Sequence, residues 1–190
     1  MIANKSKNMK ESTVLEPNEL FSFCPRCGSD TIESHEENTA IKCKKCGFIY
    51  FFNASGAVIL VVQNDSDELL VTKRAFEPYK GKLDLPGGFI MPGETAEAAL
   101  IREVKEELNV DVYDLNYCFS LANKYPYAGM FVNTVDLVFK GKIKDIQSLK
   151  AGDDVASYTF IKVDELKPED FGVESVRKAV MDMVLNKPEA

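Results

Sequence analysis

A chain of 190 residues with 45% hydrophobic content can bury one ordinary core and a small appendage. Its net charge of −7 argues against a general nucleic-acid binder, because phosphate backbones select basic surfaces. Small phosphorylated substrates stay open if divalent cations supply the positive charge, whereas a membrane partner is not expected, because no apolar stretch reaches the ~18 residues that a spanning helix needs.

Residues 1–19 are rich in Lys, Asn and Ser and carry no apolar segment of the signal-peptide kind. They read as a disordered tail, and the expected compartment is the cytoplasm. Residues 20–52 contain Cys24-Pro-Arg-Cys27-Gly, then fifteen intervening residues, then Cys43-Lys-Lys-Cys46-Gly. Two matched Cys-x-x-Cys-Gly turns at this spacing predict a tetrahedral Zn²⁺ site of Cys24, Cys27, Cys43 and Cys46, because each turn aims two thiolates at one ion. A disulfide framework does not suit a cytoplasmic chain. A redox pair calls for a single Cys-x-x-Cys. Basic and acidic residues balance across this ribbon, so its expected role is structural or dimer-supporting. His35 is read as exposed in the loop between the turns, and Cys118 as a small buried residue.

From residue 53 to 190 the pattern is mixed α/β. Gly56–Val62 reads as a buried strand, Asn64–Asp67 as a turn, and Glu68–Lys73 as its hairpin partner. Further strands are expected near Tyr117–Ala122, Thr134–Lys140 and Val155–Ile161. A last helix is expected over Val173–Leu185, with Val173, Val176, Ala179 or Val180, and Met183 on its apolar side.

The segment Gly88–Val110 carries the chemistry. Pro92 and Gly93 mark a turn, Glu94 and Thr95 are candidate first residues, and Leu100, Val104 and Leu108, with Ile101, form an apolar stripe. Asn109 stands where the helix stops, and Asn is the best non-Gly residue for the left-handed conformation. At ~100° per residue, Glu106 and Glu107 flank Glu103 by about 60° and 40° on opposite sides. Three carboxylates on one stripe repel one another unless a cation holds them, and an oxygen-only set suits Mg²⁺ or Mn²⁺ shared with substrate phosphates. A solvated acidic face is the plain alternative, but it does not call for the paired glycines Gly87-Gly88 beside it.

These residues resemble the signature box of the Nudix hydrolases: Gly, five residues, Glu, seven residues, Arg-Glu, an aliphatic, any residue, Glu-Glu, any residue, Gly, an aliphatic. Gly88, Glu94, Arg102, Glu103, Val104, Glu106, Glu107 and Val110 fall in place, and Leu85-Pro86-Gly87-Gly88 also matches. The departure is Asn109 where the family has Gly. The resemblance implies an α/β/α sandwich with a mixed sheet behind the small Cys₄ zinc ribbon. It implies divalent-metal-dependent hydrolysis of a nucleoside diphosphate linked to another moiety. Glu103, Glu106 and Glu107 would hold Mg²⁺ or Mn²⁺ together with the carbonyl of Gly88, Arg102 would orient the glutamates, and Glu94 would anchor the loop. Asp154, ahead of a late strand and preferred to Asp153, is the candidate general base, although Gly-Asp-Asp is also turn chemistry. Arg74 is a candidate phosphate contact or a surface ion pair. Tyr125 and Tyr127 are candidates to stack on a base or to pack at a strand edge.

A zinc ribbon before such a domain is similar to NADH pyrophosphatases. Their Ser-Gln-Pro-Trp-Pro-Phe-Pro segment is replaced here by Ser120–Tyr127, and the chain has no Trp. Pro126 lies about where ADP-ribose hydrolases carry a proline, and Tyr127 about where dinucleoside polyphosphate hydrolases carry a tyrosine, so neither marker selects a substrate. The rival readings are an ADP-ribose-like ligand sensor without turnover and an RNA-associated hydrolase. A homodimer is suggested by the family's habit of pairing.

Overall fold

The computed structural model describes residues 14–152 and 154–185, which divide into two compact units. The first holds the described residues up to Asn53 together with Pro126–Val132. Within it β1 (Ile32–His35), β2 (Ala40–Cys43) and β3 (Ile49–Phe51) form an antiparallel sheet in that order. Cys24, Ala40, Ile41 and Cys43 are its buried residues, and the rings of Phe21, Tyr50 and Phe52 lie against one another at 5.7–6.1 Å. That is a very small core. Leu15 bridges to Met130, and Pro17–Glu19 form a 3₁₀ turn, so this part of the expected tail has local order; residues 1–13 lie outside the described residues. His35 sits at the end of β1 rather than in the loop. It is partly covered and has Nε2 3.6 Å from a Glu36 carboxylate oxygen, which corrects the expectation of simple exposure.

The second unit holds Ala54–Tyr125 and the described residues from Asn133 on. Its strands are β4 (Ser55–Val61), β5 (Glu68–Arg74), β6 (Leu83–Asp84), β7 (Gly87–Phe89), β8 (Val112–Tyr127), β9 (Met130–Ile143) and β10 (Val155–Lys162), β8 and β9 ending in a tip that belongs to the first unit. Its helices are α1 (Ala96–Leu108) and α2 (Glu174–Val180), the latter continued by a π-helical turn through Leu185. One sheet runs β7-β4-β9-β8 and the other β10-β5-β6. β4 pairs parallel with β9 (Ser55 opposite Thr134) and antiparallel with β7 (Ile59 opposite Gly87), which makes the sheet mixed.

β4 is apolar on both faces because both are covered. Ile59 and Val61 pack with Leu69, Val71, Val138 and the α2 residues Val176, Ala179 and Val180. Val58 and Leu60 pack on the opposite side with Leu70, Phe139 and the α1 residues Leu100, Val104 and Leu108. A sheet with helices on both faces is the expected α/β/α sandwich.

Three local expectations change. β5 is not a full hairpin partner of β4: apart from a bridge between Gln63 and Leu69 it pairs with β10 and β6. Ile101 is 47% exposed, because α1 is rolled so that Ala99 and Glu107 occupy the flank of the buried stripe. Cys118 is exposed, because β8 is the edge strand of its sheet.

Candidate active site and metal centres

The glutamate helix is positioned by local chemistry at both ends. Thr95 is the N-cap, its hydroxyl accepting the Ala98 amide at 3.2 Å. Asn109 closes the helix in the left-handed region (φ 58°, ψ 25°), donating its amide to the Lys105 carbonyl. Asn therefore serves where the family pattern has Gly. The loop before the last strand completes the C-terminal end: the Lys150 and Gly152 amides donate to the carbonyls of Leu108 and Glu107 at 3.0 and 2.7 Å. A Cβ on Gly152 would lie 2.1 Å from the Glu106 carbonyl oxygen, so only glycine allows this approach. It was missed in the sequence, although its place beside Asp153-Asp154 was noted.

Arg102 is the hub. Its Nε and Nη2 donate to the two carboxylate oxygens of Glu94 at 2.7 and 2.9 Å, a bidentate pair. Nη1 reaches Glu103 at 2.8 Å and Glu106 at 3.2 Å, and Nη2 also donates to the Phe89 carbonyl at 3.0 Å. Glu94 accepts the Met91 amide as well, and the Arg102 guanidinium with that amide holds its pKa down to about 2. The loop, the helix start and two of the three glutamates thus share one cation.

Glu103 lies directly on Gly88: a Cβ there would sit 2.5 Å from the Glu103 carboxyl carbon. A side chain at position 88 would have to displace the Glu103 carboxylate, which Arg102 holds at 2.8 Å. Glu107 turns away from Arg102 and accepts the Gly87 amide at 3.2 Å. Burial raises its pKa well above the ordinary carboxylate value, with Asp84, Glu103 and Asp154 adding repulsion against the Gly87 hydrogen bond. To stand as an anion here Glu107 would need a cation, and oxygen donors from Glu103, Glu106, Glu107 and the Gly88 backbone suit a hard divalent ion. Among the described residues these carboxylates do not converge on one point as the cysteines do.

Asp154 is exposed, and its backbone carbonyl accepts the Ala75 amide at 3.2 Å. Its carboxylate is near enough to Glu107 to contribute to that residue's shift. Asp153 lies outside the described residues. Arg74 and Tyr125 are brought together, with Nη2 donating to the tyrosine oxygen at 2.7 Å, and Arg74 also binds Asp84 at 2.6 Å. Tyr127 is 57% exposed and belongs to the first unit. Sequence reasoning missed Asp84 and Phe89. The signal for Asp84 was an acid between two leucines just before Pro86-Gly87-Gly88, a place where burial demands a partner.

In the first unit the four cysteine sulfurs lie within 4.8 Å of one another, with Cys24–Cys46 and Cys27–Cys43 each at 3.7 Å. A tetrahedral ion with Zn–S bonds of about 2.3 Å requires sulfur–sulfur edges of about 3.8 Å, so the set fits Zn²⁺; a disulfide would need about 2.05 Å. Gly28 and Gly47, at φ +69° and +71°, return their amides to the Cys24 and Cys43 carbonyls at 2.9 Å, which closes each turn.

The NUDIX domain family model matches residues 53–182. The chain is similar to a NAD-capped RNA hydrolase, NudC, of Chromobacterium violaceum, with 32% identity over 57% of this chain and 40% of the relative. It is also similar to an ADP-ribose pyrophosphatase of Methanocaldococcus jannaschii, with 33% identity over 69% of this chain and 75% of the relative. The chain spans about half the length, or less, of the NudC relatives it matches. A crystal structure of a NUDIX hydrolase from Nitrosomonas europaea shares the fold, with TM-score 0.64 and 24% identity over 87% of this chain and 94% of that one. With the glycine loop, the Arg102 hub and the glutamate helix lying inside the matched residues, the chain belongs to the Nudix family.

Proposed function

We propose that this protein is a divalent-metal-dependent hydrolase that cleaves the diphosphate bond of a nucleoside diphosphate linked to another moiety. The observation that carries the reading is Glu107. It is a box carboxylate largely enclosed by protein, held by one backbone amide and repelled by Asp84, Glu103 and Asp154. Such a site is stable as an anion only with a cation beside it. Glu103, Glu106 and Glu107, with the Gly88 carbonyl, would hold Mg²⁺ or Mn²⁺. When bound, the metal supplies charge neutralisation at the phosphates and an activated water.

The remaining work falls to the chain's own groups. Arg102 keeps Glu103 and Glu106 oriented through charge-assisted bonds and fixes the loop through Glu94 and the Phe89 carbonyl. Asp154, exposed and repelling the Glu107 carboxylate, would take a proton from the attacking water. Zn²⁺ on Cys24, Cys27, Cys43 and Cys46 would have a structural role, in a protein working in the cytoplasm. Substrates of the NADH, ADP-ribose or nucleotide-sugar type stand first, because relatives carry the names ADP-ribose pyrophosphatase and NAD-capped RNA hydrolase. The second of these names is the reason to carry RNA ends as an alternative substrate.

The test is a panel of NADH, NAD⁺, ADP-ribose, diadenosine polyphosphates, nucleotide sugars and NAD-capped RNA with Mg²⁺ or Mn²⁺. Turnover of a small diphosphate-linked nucleotide is expected. Binding of ADP-ribose with no turnover of any member would make the protein a ligand sensor instead.

A further inference from the structure

Arg74 was read as either a phosphate contact or a surface ion pair; the structure places it in a largely covered ion pair, with all three of its guanidinium nitrogens engaged within the protein. Nε donates to the Pro78 carbonyl at 2.8 Å, Nη1 to Asp84 at 2.6 Å and Nη2 to the Tyr125 hydroxyl oxygen at 2.7 Å. The pair is well covered, with side chains 22% and 12% exposed, and the second Asp84 oxygen accepts the Leu85 amide at 2.9 Å. A planar fork locked in this way has one orientation.

The lock extends toward the glutamate helix. The Arg74 guanidinium carbon lies 5.9 Å from the centroid of the Tyr125 ring. That ring meets Phe89 edge-to-face, with centroids 6.2 Å apart at 72°. Phe89, in turn, gives its carbonyl to Arg102 at 3.0 Å. A continuous series of contacts therefore runs from buried Asp84 through Arg74, Tyr125 and Phe89 to the cation that orients Glu103 and Glu106.

We propose that Asp84 and Arg74 are positioning residues for nucleotide recognition, which fix the Tyr125 ring against Phe89 beside the glutamate helix without Arg74 touching the phosphates. The proposal rests on the nucleotide-hydrolase reading for its substrate, but the contact itself does not. Loss of Arg74 frees the aromatic wall and weakens capture of the nucleoside part, while the glutamates keep their own orienting cation. A direct phosphate contact predicts the reverse: the transition-state charge loses a partner and the chemical step slows.

The experiment is a double-mutant cycle on the full zinc-loaded chain with Arg74→Met, Tyr125→Phe and both together. The chain has no Trp, so its near-ultraviolet circular dichroism reports tyrosine and phenylalanine packing without any substrate. Arg74→Met and Tyr125→Phe are expected to remove overlapping parts of that signal, and the double variant to add little to either. In steady-state kinetics on the best substrate of the panel, each raises KM roughly 5- to 20-fold with kcat nearly kept, and the two losses do not multiply. If Arg74→Met does not fold, Arg74→Lys removes the fork while keeping the charge and should give the same pattern.

An Arg74 variant that leaves the near-ultraviolet spectrum intact while lowering kcat, or losses that multiply, would overturn the assignment. Should no nucleotide be hydrolysed, only the proposed activity fails; the dissociation constant of ADP-ribose by calorimetry then replaces KM in the cycle. Equal binding by the single variants and the unaltered protein would then refute the positioning role.

Discussion

The cysteine ribbon and the glutamate helix both gather anionic ligands, but they hold them by different means. In the ribbon four sulfurs are already within 4.8 Å of one another, and among the described residues of that unit Cys24, Ala40, Ile41 and Cys43 are the buried ones. So small a core leaves the organisation of the loops to the proposed zinc. At the helix the order is reversed. Leu100, Val104 and Leu108 are fully buried, the caps are satisfied, and Arg102 already neutralises part of the carboxylate set. There the fold comes first and the cation second. On the proposed reading, sulfur ligands on tight turns would draw their order from the metal, whereas oxygen ligands on a packed helix would lend theirs to it.

Removing the metal from the ribbon is the severest way to break that comparison. Structural zinc sites contribute about 10 kcal/mol or more to folding. Chelation or Cys43→Ser should therefore collapse the amide dispersion of the ribbon in NMR spectra while the helical circular dichroism of the second unit persists. Metal analysis of the unaltered protein should give about one zinc per chain, and a ribbon that stays folded after complete chelation would show that its small core suffices.

Glu106→Gln probes the opposite claim for the helix. The Glu106 side chain is 60% exposed, so its melting temperature should hardly move. kcat should fall at least on the order of 10²-fold, the scale of losing one preorganised group that stabilises charge. Near-normal turnover would remove Glu106 from the candidate metal set.

Leu100→Ala turns the comparison to packing. Leu100 is fully buried in the core beneath α1, and such a truncation costs about 2–5 kcal/mol. Chemical denaturation should show that loss with zinc content unchanged. An equal loss of zinc would mean that the ribbon leans on the helix core.

The smallest effect is the pH dependence of the loop anchor. The Glu94 pKa lies at about 2, below the ordinary 4.5, first through the Arg102 hydrogen bonds and then through the Met91 amide. Its folded value being lower than its unfolded one, the stabilisation is full above about pH 4.5 and is lost as the pH falls through about 2. The difference in melting temperature between the unaltered protein and Glu94→Gln should be constant from neutral pH to about 4.5 and shrink below it. A difference that vanishes already at pH 6 would exclude this carboxylate as its source.

Much of this architecture was legible in the chain because the signals are local. Thr95 and Asn109 mark the two ends of α1 through bonds to residues three or four positions away. The cysteine spacing folds back on itself through Gly28 and Gly47 in turns that need no distant partner. The unbroken apolar run of β4 signalled a strand covered on both faces. The misreadings are of another kind. Ile101 was placed in the core by periodicity, but the roll of a helix is set by what packs on it. Cys118 was placed inside by its apolar neighbours, but β8 lies at a sheet edge. β5 was paired with β4 by proximity in sequence, but its longer ladder is with β10, far along the chain.

The amino-acid sequence by itself determined the ribbon's cluster of four cysteines, the glutamate stripe, the ends of its helix and the family to which these belong. Each is a short-range pattern that physical chemistry makes nearly unique. Only the tertiary structure decided the partners of charge: that Arg102 serves Glu94, Glu103 and Glu106 together, that Glu107 turns to Gly87, and that Arg74 belongs to Asp84 and Tyr125. An ion pair depends on distance and burial, and residues 10 and 51 positions apart are brought to one guanidinium only by the packing of the sheets.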